Sequence, residues 1–449
     1  MIPVLLRARR FLPLFVVQAT GGLNDNLFKN ALIILLVFRS VEGGAGGGGA
    51  GLAAAAGGVF IAPYALFSAV AGQVADRFDK AALIRANKAC ELVLMVFGAW
   101  ALVSGGAAGL LAVLFGLGVQ ATAFGPLKYG ILPQHLAAGE LLDGNALIEA
   151  ATFAAILVGT ILGGVLIGGA EGPLVVGVLG VALSAVGLGA ALFVSPAPGS
   201  AAVAVRWNLV AAAWTVLRAA RREPSVWRAV LGLSWFWAVG ATYLAVFPVL
   251  VRDVFHAGTA VVTLLLSGFA LGVGVGALLG ARLAHGRATG RLVAGRLVAG
   301  RLVAGRLVAG RLVAGRLVAP AGVALSLCTF GFAGLCASPA AGGWGSPVAM
   351  LRDPAGLAAW LALFGAAVAG GVFSLPLNTA IQQGAAPSER SRMVAANNVM
   401  NAVFMVVGAG VIAGVSAAGV SPGLLLAGVG LANLGVAWWF GRGQGYGIR

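Results

Sequence analysis

Acidic residues are scarce in this chain: Asp and Glu together number 13 in 449 residues, against 29 Lys and Arg. Charged residues of both signs make up only 9%, and there are three His, three Cys and four Tyr. Each shortage excludes something. A water-soluble domain carries about 25% charged residues, so this chain has too few to clothe such a surface. No Lys follows a Gly, so the glycine-rich lysine loop that cradles nucleotide phosphates is absent, and ATP does not drive this protein directly. Cys90, Cys328 and Cys336 fall singly in apolar runs, without the spacing of a zinc site or a disulfide framework. Neither a metal nor a cofactor is expected. The opening "MIPVLLRARR" is too short for a cleaved leader, so the first apolar helix is expected to serve as the insertion signal.

Apolar residues are plentiful, at 60%, and the mean hydropathy is +1.00. A bilayer core of about 30 Å takes about 20 apolar residues per helical crossing. Twelve such segments are separated by charge, Pro or Gly clusters, roughly at 11–38, 52–75, 81–104, 107–130, 144–169, 172–194, 229–251, 259–284, 317–337, 355–377, 392–417 and 421–440. Barrel strands would be about 10 residues of strict alternation, which runs such as "ALIILLVF" do not show. The expected fold is an all-α polytopic membrane protein with twelve transmembrane helices in two six-helix bundles.

With the N-terminus inside, the inner loops take every Lys and Arg except Arg39, Arg252 and Arg352 outside and Lys29, Lys88 and Lys128 within helices. Both termini are therefore expected to be cytoplasmic. The net charge of +16 is spread over membrane-facing loops, which points to anionic lipid headgroups rather than nucleic acid.

Three domains are expected: an N-terminal bundle at 1–195, a central loop at 196–228, and a C-terminal bundle at 229–449. The loop segment from Trp207 to Arg222 reads as an amphipathic helix on the cytoplasmic surface, anchored by Trp207, Trp214 and its arginines. Two stretches, "FGPLKYGILPQHL" and "FSLPLNTAIQQG", share a Pro-Leu pair, then Ile, then Gln, and both are expected between the fourth and fifth helices of their half. A duplicated six-helix transporter leaves such a trace. Residues 290–319 are six copies of the pentad "GRLVA". Five residues advance a helix by about 140° net, so the arginines spray around the axis and cannot cross lipid. The insert is expected to be a cytoplasmic extension, helical or disordered, arising from repeat expansion.

The first segment holds "GGLNDNLFKN" between two apolar runs. Asp25 falls about 21 Å along this helix, near the bilayer midplane. A charge there costs roughly 2.5 to 3.5 kcal/mol unless it meets a partner or water. Asp25 and Lys29 are spaced i, i+4 and are expected to pair on one face, with Asn24, Asn26 and Asn30 widening the polar surface. Gly21 and Gly22 let a neighbouring element approach or the helix bend. Five polar groups in seven residues point to a substrate or ion path; buried amides that lock helix packing are the other reading. In the third helix Lys88 and Glu91 are spaced i, i+3. Lys88 either snorkels to the headgroups or pairs with Glu149 of the fifth helix. Lys128 is read as a snorkelled cation. The loop "GQVADRFDK" offers Gly72 for tight approach, Asp76 to cap a neighbouring helix N-terminus, and Arg77 and Lys80 for carbonyl ends or lipid phosphate.

The Gly72, Asp76, Arg77, Lys80 pattern between the second and third helices resembles the signature loop of the major facilitator superfamily. "GARLAHGR" at 280–287 is a degenerate counterpart without the acid. Three further stretches, "QATGGLNDNLFKNALIIL", "FGPLKYGILPQHL" and "LGLSWFWAVGATYLAVFP", resemble the bacterial lysophospholipid transporter branch. The resemblance implies alternating access, a bacterial inner-membrane location, and inward movement of lysophospholipid for reacylation, with Asp25 in a central polar cavity. A lysolipid needs a small charged patch beside an apolar slot: Lys29 suits the phosphate, Asp25 an ammonium, and Trp235, Phe236, Trp237 and Phe247 the acyl tail. The expected substrate-binding set is Asp25, Lys29, Asn24, Asn26, Lys88, Glu91 and Glu149, and the gating loop is Gly72, Asp76, Arg77 and Lys80.

Enzymes are not expected. Acyltransferases fused to such transporters use His-x-x-x-x-Asp, and here His135, His256 and His285 are followed at that spacing by Glu140, Val261 and Gly290. A separately encoded acyltransferase is an expected partner, beside membrane lipids. The alternative function is a proton-coupled exporter of drugs or other hydrophobic molecules, with Asp25 titrating. A non-transporting scaffold would have little reason to hold charge at the midplane.

Overall fold

The polar cluster of the first segment does not interrupt its helix. In the computed structural model, which describes residues 2–42, 48–104, 106–294, 302–338 and 342–442, a continuous helix α1 runs Leu12–Glu42. It is followed by α2 Gly48–Arg77, α3 Lys80–Ser104, α4 Ala107–His135, α5 Leu141–Ile167 and α6 Gly172–Leu192. A connecting helix, Leu209–Arg222, precedes α7 Pro224–Asp253, α8 Thr259–Ala294, α9 Leu302–Cys336, α10 Pro354–Gly384, α11 Arg390–Ala417 and α12 Pro422–Arg442. Eleven helices among the described residues are long and apolar enough to cross a membrane. The twelfth of this series, α1, has the length, and its embedded Asn, Asp and Lys lower its apolarity.

Several boundaries differ from the expected ones. Pro126 and Pro376 lie inside α4 and α10, so both Pro-Leu stretches are helical tails rather than interhelical loops. Neighbouring helices re-satisfy the backbone groups that such prolines free, which makes them tolerable in a membrane bundle. Part of the pentad repeat is helical: α8 extends to Ala294 and α9 begins at Leu302, while 295–301 lie outside the described residues. Arg39, the repeat's first five arginines and Arg449 likewise have no described side chain.

The chain forms two compact units. The first comprises residues 1–137, 154–228 and 381–402. Its core joins Leu27, Phe28 and Leu32 of α1 to Met95 and Leu102 of α3, Leu114 and Leu117 of α4, and Val176 of α6. The second comprises 138–153, 229–380 and 403–449. In it Tyr243 is fully buried among Phe247, Phe269 and Phe332, and its hydroxyl shares a 2.7 Å hydrogen bond with Thr329. Asn433 of α12 ties three elements together, donating to Gly322 O and Ser326 Oγ of α9, both at 2.8 Å, and accepting from Trp235 of α7 at 2.9 Å.

Outward faces are apolar. Val93, Val96, Phe97, Trp100 and Val103 line one side of α3 and are exposed, as are Val403, Val406, Val407 and Val411 on α11. Continuous apolar faces of this kind suit hydrocarbon and would be unfavourable in water.

The connecting helix is amphipathic. Ala212, Val216 and Ala220 are buried at i, i+4 and i+8, while Val210, Trp214 and the arginines face out. Asn208 Oδ1 caps its start by accepting from Ala211 N at 2.9 Å, and Arg221 and Arg222 close its last turn.

Candidate functional site

At 100° per residue, α1 divides its polar residues between separate faces. Gln18, Asp25 and Lys29 fall on one stripe, Gly21 and Asn24 on a second, and Asn26 and Asn30 on a third. Tertiary contacts give each stripe a different fate.

The Gly21–Asn24 stripe meets a buried polar node, in which Asn24 donates through Nδ2 while its Oδ1 has no hydrogen-bond partner. Lys88 and Glu91 of α3 form an ion pair at 2.5 Å, with only 1% and 0% of their side chains exposed. Glu91 also accepts from Gln120 of α4 at 2.7 Å and from Asn24 at 3.4 Å. Gln120 donates to Asn87 Oδ1 at 2.7 Å, and Asn24 reaches Ser184 of α6 at 3.1 Å. The Lys88 ammonium lies over the Phe124 ring, 5.2 Å from its centroid. Gly21 leaves room for the ammonium where it stands, since a Cβ at this position would meet Lys88 Nζ. Lys88 neither snorkels nor pairs with Glu149: an acceptor three residues away on its own helix is within reach without bending to the interface. Glu149 belongs to the second unit, where it accepts a short hydrogen bond from Ser374 of α10.

The third stripe is spent on packing. Asn26 donates to Gly22 O at 2.8 Å, and Asn30 to Thr160 O of α5 at 2.6 Å.

The Gln18–Asp25–Lys29 stripe differs. The expected Asp25–Lys29 ion pair is not formed. Lys29 instead donates to Asn26 Oδ1 at 2.9 Å and places its charge over the Phe60 ring of α2, 5.3 Å from the centroid. Helical side chains lean toward the N-terminus, which brings the i−3 amide as close as the i−4 acid. Asp25 Oδ1 is buried without a hydrogen-bond partner. A buried acceptor left unmade costs about 1–3 kcal/mol, and more for a charged group, so it marks a place where binding can recover free energy. Lys128 of α4 turns inward rather than snorkelling, donating to Gln18 Oε1 at 3.1 Å, and it lies 4.9 Å from the Tyr129 ring centroid. Four amide atoms of the same unit, Asn24 Oδ1, Gln73 Nε2, and Asn397 Oδ1 and Asn398 Nδ2 of α11, are likewise buried without partners.

The signature loop clasps α11. Asp76 accepts from the backbone N–H groups of Ser391 and Arg392, at 2.9 and 3.0 Å, and from Arg392 Nε at 3.2 Å. It thereby satisfies orphan donors at the start of α11, where the helix dipole favours a negative charge. Gly72 permits the approach: a Cβ there would lie 2.5 Å from Ala395 Cβ and 2.8 Å from Ser391 O. Gly72→Val is expected to cost about 2–3 kcal/mol by forcing α2 from α11, read as a lower unfolding midpoint in detergent. Arg77 is exposed and reaches Val203 O at 3.5 Å. Lys80 is only 2% exposed, with its chain against Gly130 of α4, which removes it from lipid phosphate.

Sequence reasoning missed the partners more than the principals. Gln120, Asn87 and Ser184 complete the buried node, and a lone Gln in the apolar run "FGLGVQATAF" was the available signal. Gln73 and Asp79 were also missed; they hold the segment after α6 through Arg206 N and Ala197 N, both at 2.7 Å. Of the four aromatics assigned to a tail, Phe236 and Phe247 are buried in the second unit's core and Trp235 is bonded to Asn433, while Trp237 stacks on Phe153.

Comparison with solved structures gives the fold. The human organic anion transporter MFSD10 superposes with a TM-score of 0.70 at 17% identity, over 96% of this chain and 99% of that one. The Escherichia coli fucose:proton symporter FucP superposes with a TM-score of 0.64 at 12% identity, over 97% and 98%. The protein therefore has the twelve-helix fold of the major facilitator superfamily transporters. Within that class its sequence resembles the lysophospholipid transporter branch: 199 residues are 30% identical to the lysophospholipid transporter LplT of Escherichia coli O1:K1, 41% of this chain and 45% of that one. The match thus spans less than half the length of these curated relatives. No family model matches the chain. All three of these proteins are named as transporters or symporters.

Proposed function

We propose that this protein moves lysophospholipid across a bacterial inner membrane by alternating access, with both termini cytoplasmic. The observation that carries this reading is the buried, unpartnered carboxylate oxygen of Asp25, one helical turn from the Lys29 ammonium on the same stripe of α1. An acid and a base so placed match the ammonium and phosphate of a zwitterionic lysolipid headgroup. The resemblance to LplT supports the same substrate class. Lys88 and Glu91, closed on each other and on Gln120, serve in this reading to hold α1, α3 and α4 in register. A separately encoded acyltransferase consumes the delivered lysolipid.

The Asp76 clasp on α11 is the gating element. Asp76→Ala is expected to slow transport at least about tenfold, since it removes three charge-assisted hydrogen bonds at a helix start, two of them from backbone N–H groups. Asp76→Glu should retain part of the rate.

The same lone carboxylate also favours a second reading, a proton-coupled exporter of hydrophobic molecules. Purified protein in liposomes separates the two: movement of labelled lysophosphatidylethanolamine between leaflets, with and without an imposed pH gradient. Lysolipid movement indifferent to the gradient supports the flippase. Absence of lysolipid movement, with gradient-driven flux of other hydrophobic compounds, overturns it in favour of the exporter.

A further inference from the structure

The connecting helix carries a feature that headgroup recognition by α1 does not use. Between its outer face and α2 lies an open apolar groove of about 290 Å³, lined by Ala65, Leu66, Val210, Trp214 and Leu217 among others. The groove is shallow and its lining is uncovered: Val210 is 80% exposed and Trp214 59%. At 100° per residue, Val210, Trp214, Leu217 and Arg221 fall within about 60° of one another, so Arg221 continues the groove's stripe one turn further on. Its guanidinium is held over the Trp227 ring, 4.8 Å from the centroid, while the side chain stays exposed. Arg218 and Arg222 lie about 60° and 100° further round one side of the helix and are also exposed; no acid occurs from 207 to 222, and Glu223 follows as the C-cap.

An apolar slot beside three cations, with an indole at the junction, has the chemistry of a lipid with a negative headgroup. We infer that this groove binds one anionic phospholipid of the surrounding bilayer, its acyl chain along Ala65, Leu66 and Trp214 and its phosphate on Arg218, Arg221 and Arg222. A zwitterionic phospholipid offers the same chain and phosphate, but its own ammonium offsets the attraction to three guanidinium groups. Each Arg near a membrane surface favours anionic lipid by an amount that, summed over three, supports a preference of at least about tenfold. The preference weakens as salt screens the arginines.

The test uses the full chain reconstituted in vesicles of phosphatidylcholine and phosphatidylglycerol, with brominated acyl chains on one lipid or the other to quench Trp fluorescence. The protein has ten Trp, so the Trp214 signal is the difference between wild type and Trp214→Phe. Quenching of that signal by brominated phosphatidylglycerol at about one-tenth the mole fraction needed of brominated phosphatidylcholine is the expected result. The triple variant Arg218→Gln, Arg221→Gln, Arg222→Gln should equalise the two lipids. Ala65→Phe, which fills the groove and leaves every charge in place, should also abolish the preference. Equal quenching by both lipids in wild type, or a preference that survives both variants, overturns the inference.

Discussion

Asp25→Asn should reduce lysophosphatidylethanolamine movement in liposomes by about ten- to hundredfold, with unchanged yield and unfolding midpoint. The substitution keeps the shape of the side chain and removes only its charge. Because Asp25 Oδ1 accepts no hydrogen bond within the protein, Asn at this position breaks no native contact at that atom. What it does remove is the charged partner of a ligand ammonium, worth about 1.5–3 kcal/mol, or roughly ten- to hundredfold. Lys29→Ala should act similarly on the phosphate side. Stability should fall only by the loss of the Asn26 bond and the Phe60 contact, together about 1–2 kcal/mol. Wild-type transport in both variants at equal abundance would remove α1 from the transport path.

Glu91→Ala should have the opposite signature, a large loss of folded protein. It leaves the Lys88 ammonium, 1% exposed, without its 2.5 Å counter-ion, and takes one of two acceptors from each of Gln120 and Asn24, which keep Asn87 and Ser184. Removing one member of a buried pair costs about 3–5 kcal/mol, because an uncompensated charge remains in a low-dielectric interior. The unfolding midpoint in detergent should drop by at least about 3 °C. The double variant Lys88→Met, Glu91→Leu should recover most of that loss, since it removes the charge with its partner and leaves only neutral donors short of one acceptor. A double variant that is stable yet unable to transport would return Lys88 and Glu91 to the substrate path. Together the Asp25 and Glu91 experiments separate polar groups that the fold consumes from those it leaves for a ligand.

In sequence these groups look alike. "GGLNDNLFKN" and "NKACELV" both set charges inside apolar helices, and hydropathy treats both as interruptions. Helical geometry distinguishes the faces of α1, but it does not say which neighbour each face meets. Asn24 meets Glu91, 67 residues away, and Ser184, 160 residues away, so its fate depends on pairings between distant helices. The i, i+4 spacing likewise placed Asp25 and Lys29 in reach of each other without deciding between that acid and the nearer amide of Asn26.

The helical membrane architecture and the location of the helices followed from the sequence itself. A helix satisfies its backbone internally, so apolar length alone identifies a span, and α3 at Lys80–Ser104 or α12 at Pro422–Arg442 needed no partner to be recognised. The capping role of Asp76 was also legible, since Gly72 and Asp76 form a local pattern whose chemistry admits few uses. Only the tertiary structure decided what that cap holds, the start of α11 more than 300 residues on, and which buried charges are neutralised and which are left open. The physical reason is that hydrophobicity is a property of each residue, whereas the satisfaction of a buried polar atom belongs to a pair.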